Sequence, residues 1–139
     1  MFVVPRSSGE AILRRMSAKE IGEKLVAFCK EGKNLESINT LYAENVESIE
    51  AAAMQEGGDR VSKGIEAVRQ KNQWWGENHE IHSAEVAGPW PHGDDKFAVQ
   101  FKYDVTNKPS GQRIQMNEIG VFTLEGGKVV REEFFYDMG

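Results

Sequence analysis

The chain has 139 residues, of which 40% are hydrophobic and 28% are charged, so it is long enough for one globular domain and too short for two ordinary ones. Its formal net charge is −5 and its 17 basic residues are scattered, which excludes a clustered phosphate-binding face and predicts no nucleic-acid partner. No apolar run approaches the roughly 20 residues that cross a bilayer, so no membrane partner is predicted either.

The first fifteen residues show no hydrophobic period. We expect residues 1–15 to form a flexible extension ahead of one domain at residues 16–139, with Met16 as a second candidate start. The segment lacks the basic stretch and extended apolar core of a secretory signal. Because Cys29 is the single cysteine and cannot form an internal disulfide, the sequence predicts a reducing, cytoplasmic compartment.

Two helices are predicted at the start of the domain. Ser17 and Glu20 have the spacing of a capping box, in which each side chain binds the other residue's backbone amide. Apolar residues then recur at helical spacing until Gly32, which can adopt the left-handed conformation that ends a helix. A second helix is expected to begin at Asn34, which can cap it, and to end at Asn45.

A short strand and a third helix are predicted next. Residues 46–51 favour a strand, and the segment that follows has no clear pattern apart from a turn at residues 57–59. The third helix is expected from about Gly64 to Gly76, with its apolar residues on one face.

From residue 79 onward the hydrophobic period changes to two, which predicts strands. The expected strands are residues 79–88, 96–106, 113–125 and 128–137. Turns are expected at residues 89–94, at Pro109-Ser110, and at Gly126-Gly127, where two residues suffice for a hairpin. These strands would form an antiparallel meander.

The turn lengths predict which residues face each other across the meander. With Pro109-Ser110 at the tip of its turn, Phe101 pairs with Glu118; with a two-residue final hairpin, Gly120 pairs with Glu133. One face then carries Phe97, Val99, Phe101, Tyr103, Val105, Ile114, Met116, Phe122, Leu124, Val129 and Phe135, with Glu118, Arg131 and Glu133 among them. We interpret this face as the wall of a core or a pocket.

The opposite face is too apolar to be left in water. Its apolar residues are Ile119, Val121, Val130, Phe134 and Tyr136. We therefore expect a second copy of the chain to cover it, which predicts a homodimer.

Three short motifs occur in the order of a known superfamily. Residues 41–46 (LYAENV) lead from the second helix into the first strand, residues 64–68 (GIEAV) open the third helix, and residues 127–132 (GKVVRE) open the last strand. Together they resemble the nuclear transport factor 2-like superfamily, which includes SnoaL-like cyclases, ketosteroid isomerase and limonene epoxide hydrolase. The resemblance spans residues 17–137 and implies an α+β fold, in which three helices pack against a cone-shaped, strongly curved antiparallel sheet.

The resemblance also implies a function. SnoaL-like cyclases and isomerases hold a small hydrophobic compound in the cone and use pocket carboxylates as acid and base. Glu50 falls on the position of the general-base aspartate of ketosteroid isomerase. The first-helix tyrosine of that isomerase has no counterpart here, since the position falls near Leu25 or Val26. The cyclases, which use a single pocket acid or base, are the better match.

Glu118 is the first candidate for catalysis and Glu50 the second. Glu118 is predicted among apolar residues, where burial would raise its pKa toward neutrality, as acid/base catalysis requires. The alternative is an ion pair with Arg131 or a lysine, and for Glu50 the alternative is an exposed carboxylate. The residues expected to contact a ligand are Trp74, His79, Phe101, Tyr103, Met116 and Glu133. For Glu133 the alternatives are a solvent-exposed strand end or an ion pair with Arg131.

No cofactor or metal is predicted. The sequence has no phosphate-binding loop, dinucleotide motif or nucleophile elbow. His79 and His82 are three apart in a predicted strand and would point to opposite faces, with no third ligand near them.

Three functions stay open at this point. The first is a cofactor-independent isomerase, cyclase or hydrolase-like enzyme acting on a hydrophobic compound. The second is a non-catalytic module that binds such a compound in the same cavity. The third is a dimeric interaction domain whose cone is filled by Phe101, Met116 and Phe122.

Overall fold

The computed structural model describes residues 16–53 and 57–137, which form three helices and a six-stranded sheet. The helices are α1 (Ala18–Lys30), α2 (Asn34–Leu41) and α3 (Ile65–Asn78), and the strands are β1 (Tyr42–Ile49), β2 (Val61–Lys63), β3 (His79–His92), β4 (Lys96–Asn107), β5 (Gln112–Glu125) and β6 (Lys128–Phe135). The extension predicted over residues 1–15 lies outside the described residues. Within the described part of the chain, no helix is long and apolar enough to cross a membrane.

The predicted capping box opens α1. The Ser17 hydroxyl accepts a hydrogen bond from the Glu20 amide at 3.2 Å, and the Glu20 carboxylate accepts one from the Ser17 amide at 3.1 Å. The helix packs against β3 and β4. A Cβ atom at Gly22 would lie 2.6 Å from the Cβ of Pro89, so only glycine allows this close approach between α1 and β3.

Helix α2 is shorter than predicted. It ends at Leu41, and Tyr42 begins β1, whereas the sequence pattern extends the helix to Asn45. The reason is tertiary, since Tyr42 pairs with Val129 of β6 and this pairing overrides the local helical period.

The strand order is β2-β1-β6-β5-β4-β3. Strands β1 and β6 are parallel, and all other neighbours are antiparallel, so the sheet is mixed rather than wholly antiparallel as predicted. It is curled but not closed, because β2 and β3 form its two edges. The expected α+β fold, with helices packed on a curved sheet, is otherwise confirmed.

Strand β3 is longer than predicted. It continues through Pro89 and Pro91 to His92, and the chain turns only at residues 93–95. Prolines are tolerated here because β3 is an edge strand, and on one side of its backbone no strand of the described residues is paired with it. Its pairing with β4 is interrupted twice, and such irregularities bend a strand.

The hydrophobic core lies between α1 and the inner face of the sheet. The rings of Phe97 and Phe122 stack with their centroids 4.9 Å apart. Around them are Ile21, Leu25, Val46, Val68, Val99 and Val129, each no more than 1% exposed.

The predicted pairing of β4 with β5 is confirmed, and Phe101 faces Glu118. The predicted pairing of β5 with β6 is wrong beyond the hairpin. Leu124 pairs with Val129, but Thr123 pairs with Arg131, which leaves one extra residue in β6. Side chains alternate along a strand with a period of two, so one extra residue reverses the face of every later residue.

This bulge corrects the predicted face of the later residues of β6. Phe134, not Glu133, pairs with Gly120. Phe134 and Tyr136 therefore point into the inner face, although the sequence pattern placed them outside. Glu133 and Phe135 lie on the outer face instead.

Candidate functional site

A cavity of about 550 Å³ lies between the inner face of the sheet and the three helices. Its size falls within the range of small-molecule sites, which runs from roughly 300 to 1,000 Å³. The aromatic residues lining it are Tyr42, Trp74, Trp75, Phe101, Tyr103, Phe122, Phe134 and Tyr136. Three glutamates, Glu50, Glu118 and Glu132, also line it. Among the described residues of the wall, Lys71 is the one lysine or arginine.

The structure brings the predicted site residues together with one exception. Those that line the cavity are Glu50, Trp74, His79, Phe101, Tyr103, Met116 and Glu118. Glu133 does not, and its predicted place in the pocket is wrong because of the extra residue in β6. Its carboxylate lies 3.1 Å from the guanidinium of Arg131, and this ion pair is one of the two alternatives predicted from the sequence. The chemical roles of the cavity residues stay predictions.

Glu118 stands on β5, opposite Phe101. Burial raises the pKa of Glu118 to about 7, the neighbouring charges of Glu50 and Glu132 also raise it, and Lys71 opposes them. Among the described residues, none forms a hydrogen bond or ion pair with this carboxyl group. A carboxyl group with a pKa near 7 can both accept and donate a proton at neutral pH.

Glu50 is paired. Its Oε2 accepts a hydrogen bond from Lys71 Nζ at 2.6 Å, and its Oε1 accepts one from the Tyr136 hydroxyl at 3.0 Å. The Glu50 and Lys71 side chains are only 11% and 15% exposed. The carboxylate that aligns with the isomerase base is therefore a buried ion pair here.

Glu132 was not predicted as a site residue, since the regular pattern of β6 placed it outside. It is 5% exposed, and its two carboxylate oxygens accept hydrogen bonds from the Tyr42 hydroxyl and, at 2.6 Å, from the Ser48 hydroxyl. Burial raises the pKa of Glu132, while Lys71 and these two hydrogen bonds lower it.

Lys71 joins the two paired glutamates and was also missed. Its ammonium donates to Ser48 Oγ as well as to Glu50. The result is one continuous hydrogen-bonded chain through Tyr42, Glu132, Ser48, Lys71, Glu50 and Tyr136. The sequence does indicate that Lys71 faces the sheet. It lies three residues after Val68 and four before Trp75, and residues at these spacings share one side of α3.

His79 belongs to another part of the wall. Its ring stacks on Trp75, with centroids 4.4 Å apart. Nδ1 donates to the carbonyl oxygen of Trp75 at 2.8 Å, since a carbonyl can only accept, and Nε2 then accepts from Asn107 Nδ2 at 3.4 Å. Neither ring nitrogen is left over for a metal. Within the described ranges, no group of three His, Cys, Asp or Glu residues could hold one.

Two further wall residues have strongly raised pKa values. Burial raises the pKa of the Cys29 thiol to about 12, which argues against a thiolate nucleophile near neutral pH. Burial also raises the pKa of Tyr103 far above its ordinary value. The Tyr103 hydroxyl can therefore form hydrogen bonds in the cavity but does not ionise.

Comparison with known proteins agrees with this fold. A family model described as SnoaL-like domain matches residues 16–136. A proposed SnoaL-like polyketide cyclase from Mesorhizobium loti is 43% identical, with a TM-score of 0.80 over 87% of this chain and 100% of that one. No curated protein matches the chain.

More distant solved structures share the fold alone. A proposed SnoaL-like polyketide cyclase from Jannaschia sp. CCS1 is 19% identical, with a TM-score of 0.66 over 90% of this chain and 91% of that one. A protein of Catenulispora acidiphila with a ketosteroid isomerase-like fold is 16% identical, with a TM-score of 0.66 over 88% of each chain. With the family model covering nearly all of its described residues, the chain belongs to the SnoaL-like domain family.

Proposed function

We propose that the protein is an acid/base enzyme, in which the cavity binds a small, largely hydrophobic carbonyl compound and Glu118 transfers a proton on it. The observation that carries this proposal is the state of Glu118, a carboxyl group without a hydrogen-bonding partner among the described residues and with a pKa of about 7, inside an aromatic cavity. The relative that is 43% identical is a proposed polyketide cyclase, and polyketides carry ketone groups beside acidic C–H bonds.

Glu118 is better suited to this role than the other two glutamates. Both oxygens of Glu50 already accept hydrogen bonds, from Lys71 and Tyr136. Both oxygens of Glu132 do so as well. A carboxylate that is held by donors on both sides is a poor base, because accepting a proton would break a bond that it already makes.

The aromatic lining of the cavity favours a flat, apolar ligand. The rings of Trp75 and Tyr103 lie 5.5 Å apart, and those of Phe101 and Tyr103 lie 6.2 Å apart and nearly parallel. Aromatic faces of this kind bind planar apolar groups by stacking. The volume of about 550 Å³ supports an open cavity rather than a cone filled by its own side chains.

The test is exchange of carbon-bound protons with D₂O. The purified protein is incubated with steroid ketones and aromatic polyketides, and deuterium incorporation is followed by mass spectrometry. We expect catalysed exchange in at least one class, and a fall of about 10²- to 10⁴-fold in Glu118→Gln. Glu125→Gln, an exposed position on the same strand, is the matched control and should match the wild type.

The second candidate is a binding module. If the protein is a binding module, at least one compound should raise the melting temperature of the wild type, yet no compound of any class tested should undergo catalysed exchange. That result would contradict the catalytic proposal while keeping the cavity as a ligand site.

We also propose a homodimer formed through the outer face of the sheet. Trp90, Ile119 and Phe135 are 52%, 36% and 50% exposed, and Ile119 pairs directly with Phe135. We expect Phe135→Glu to convert a dimer into a monomer in light scattering after size-exclusion chromatography. Leu35→Glu, at a leucine of α2 that is 46% exposed, should leave the dimer intact. A wild type that is monomeric at high concentration would contradict the proposal.

A further inference from the structure

Lys71 is held on two sides by directional hydrogen bonds. Ser48 has one hydroxyl proton and donates it to Glu132, so Ser48 Oγ can only accept from Lys71. On its other side the ammonium donates to Glu50 at 2.6 Å. An ammonium has three N–H bonds, and these contacts use two of them.

The third N–H bond has no acceptor among the described residues. The ring of Phe134 lies 5.4 Å from Nζ, a cation–π contact that stabilises the charge without taking a hydrogen bond. Lys71 lines the same cavity as Glu118, and its charge acts on that carboxyl group. The cavity therefore contains a fixed cation with a donor to spare, in the neighbourhood of the proposed base.

We propose that Lys71 binds the substrate oxygen on which negative charge develops when Glu118 removes a proton, and that Ser48 and Glu132 position Lys71 for this task. This inference rests on the proposed function. The inference assigns the substrate class as ketones or esters, in which the carbonyl group is bonded directly to the carbon that loses the proton.

The step balances without another reactant. The Glu118 carboxylate takes the proton, the electron pair of the C–H bond forms a carbon–carbon double bond, and the carbonyl π pair moves onto oxygen. That oxygen accepts the third N–H bond of Lys71. Return of the proton from Glu118 to carbon restores both side chains. Because Lys71 is held in place before the reaction, it need not reorganise as the charge develops.

The test uses 4-nitrophenol as a stable oxyanion and nitrobenzene as its neutral counterpart. Both are titrated into a Glu118→Gln parent, which mimics the protonated carboxyl group that faces the oxyanion. We expect the parent to lower the pKa of bound 4-nitrophenol. Addition of Lys71→Met should weaken binding of the phenolate about 10- to 100-fold and leave nitrobenzene affinity nearly unchanged. Lys102→Met, at an exposed lysine of β4, is the matched control.

Two further variants guard against misfolding and test the positioning role. Lys71→Met combined with Glu50→Gln removes both charges of the ion pair, so that Glu50 is not left as an unpaired carboxylate. Phenolate affinity equal to that of the parent would overturn the inference. Ser48→Ala should raise the pKa of bound 4-nitrophenol toward its value in water, an effect that loss of packing alone would not produce, and an unchanged pKa would refute the role of Ser48.

The outcomes separate this inference from the proposed function. Binding of nitrobenzene with no preference for the phenolate would refute the role of Lys71 and leave the cavity and Glu118 untouched. Failure of the parent to bind either probe would contradict the proposal that the cavity is a site for aromatic ligands, and the inference would fall with it.

Discussion

Along the inner face of the sheet, Phe97 and Val99 are enclosed on all sides, whereas Glu118, which pairs with the next inward residue of β4, borders a cavity. The two regions share strands and differ in what they bury. The core beneath α1 buries hydrocarbon, which stabilises the fold. The cavity wall buries carboxyl groups, which destabilise it unless hydrogen bonds compensate.

The compensation in the cavity wall is uneven. Glu50 and Glu132 each receive two hydrogen bonds, but Glu118 receives none from the described residues. A buried carboxyl group that lowers stability and has no hydrogen bonds to offset its burial is typical of a functional site rather than of a core. Substitutions in the two regions should therefore change stability by different amounts and, at Glu118, in the opposite direction.

The largest loss of stability is expected for Phe97→Ala. Phe97 is 1% exposed and stacks on Phe122, so its removal leaves a void that the rigid sheet cannot fill. We expect the free energy of unfolding, measured by urea denaturation, to fall by about 3–5 kcal/mol. Leu35→Ala, at an exposed leucine, should change it by less than about 0.5 kcal/mol. A small loss at Phe97 would show that the core is not where stability is concentrated.

An intermediate loss is expected for Glu132→Ala. The substitution leaves the hydroxyl groups of Tyr42 and Ser48 buried without their acceptor, and we expect a loss of about 2–3 kcal/mol. Glu132→Gln keeps one acceptor oxygen and should lose less. Equal losses in the two variants, measured by the same denaturation, would show that these hydrogen bonds do not stabilise the fold.

The smallest effect, and a gain, is expected for Glu118→Gln. The folded-state pKa of about 7 is higher than the ordinary glutamate value of 4.5 that applies in the unfolded chain, so Glu118 favours folding below pH 4.5 and loses that contribution as the pH rises through 7. At pH 8 the glutamine variant should be more stable than the wild type by on the order of 1 kcal/mol, since Glu118 keeps partial contact with solvent. Near pH 4.5 the two should unfold alike. A loss of stability at pH 8 would contradict the raised pKa.

Local patterns predicted much of the fold. The capping box at Ser17 and Glu20 involves residues three apart, and the alternation along β4 and β5 involves adjacent residues, so both can be recognised in one stretch of chain. The same alternation placed Glu118 on the inner face. The ends of the helices and strands were less predictable. The end of α2, for example, depends on pairing between β1 and β6, which are far apart in the chain.

The sequence by itself determined the fold class and the inward position of Glu118, because periodicity and turn residues act over a few neighbouring positions. Only the tertiary structure revealed the extra residue in β6, which turns Glu132 inward and Glu133 outward. It also brought Tyr42 and Ser48 to Glu132, across 90 and 84 positions of sequence. Contacts between residues so far apart in sequence form only when β1 pairs with β6, and no local sequence pattern predicts that pairing.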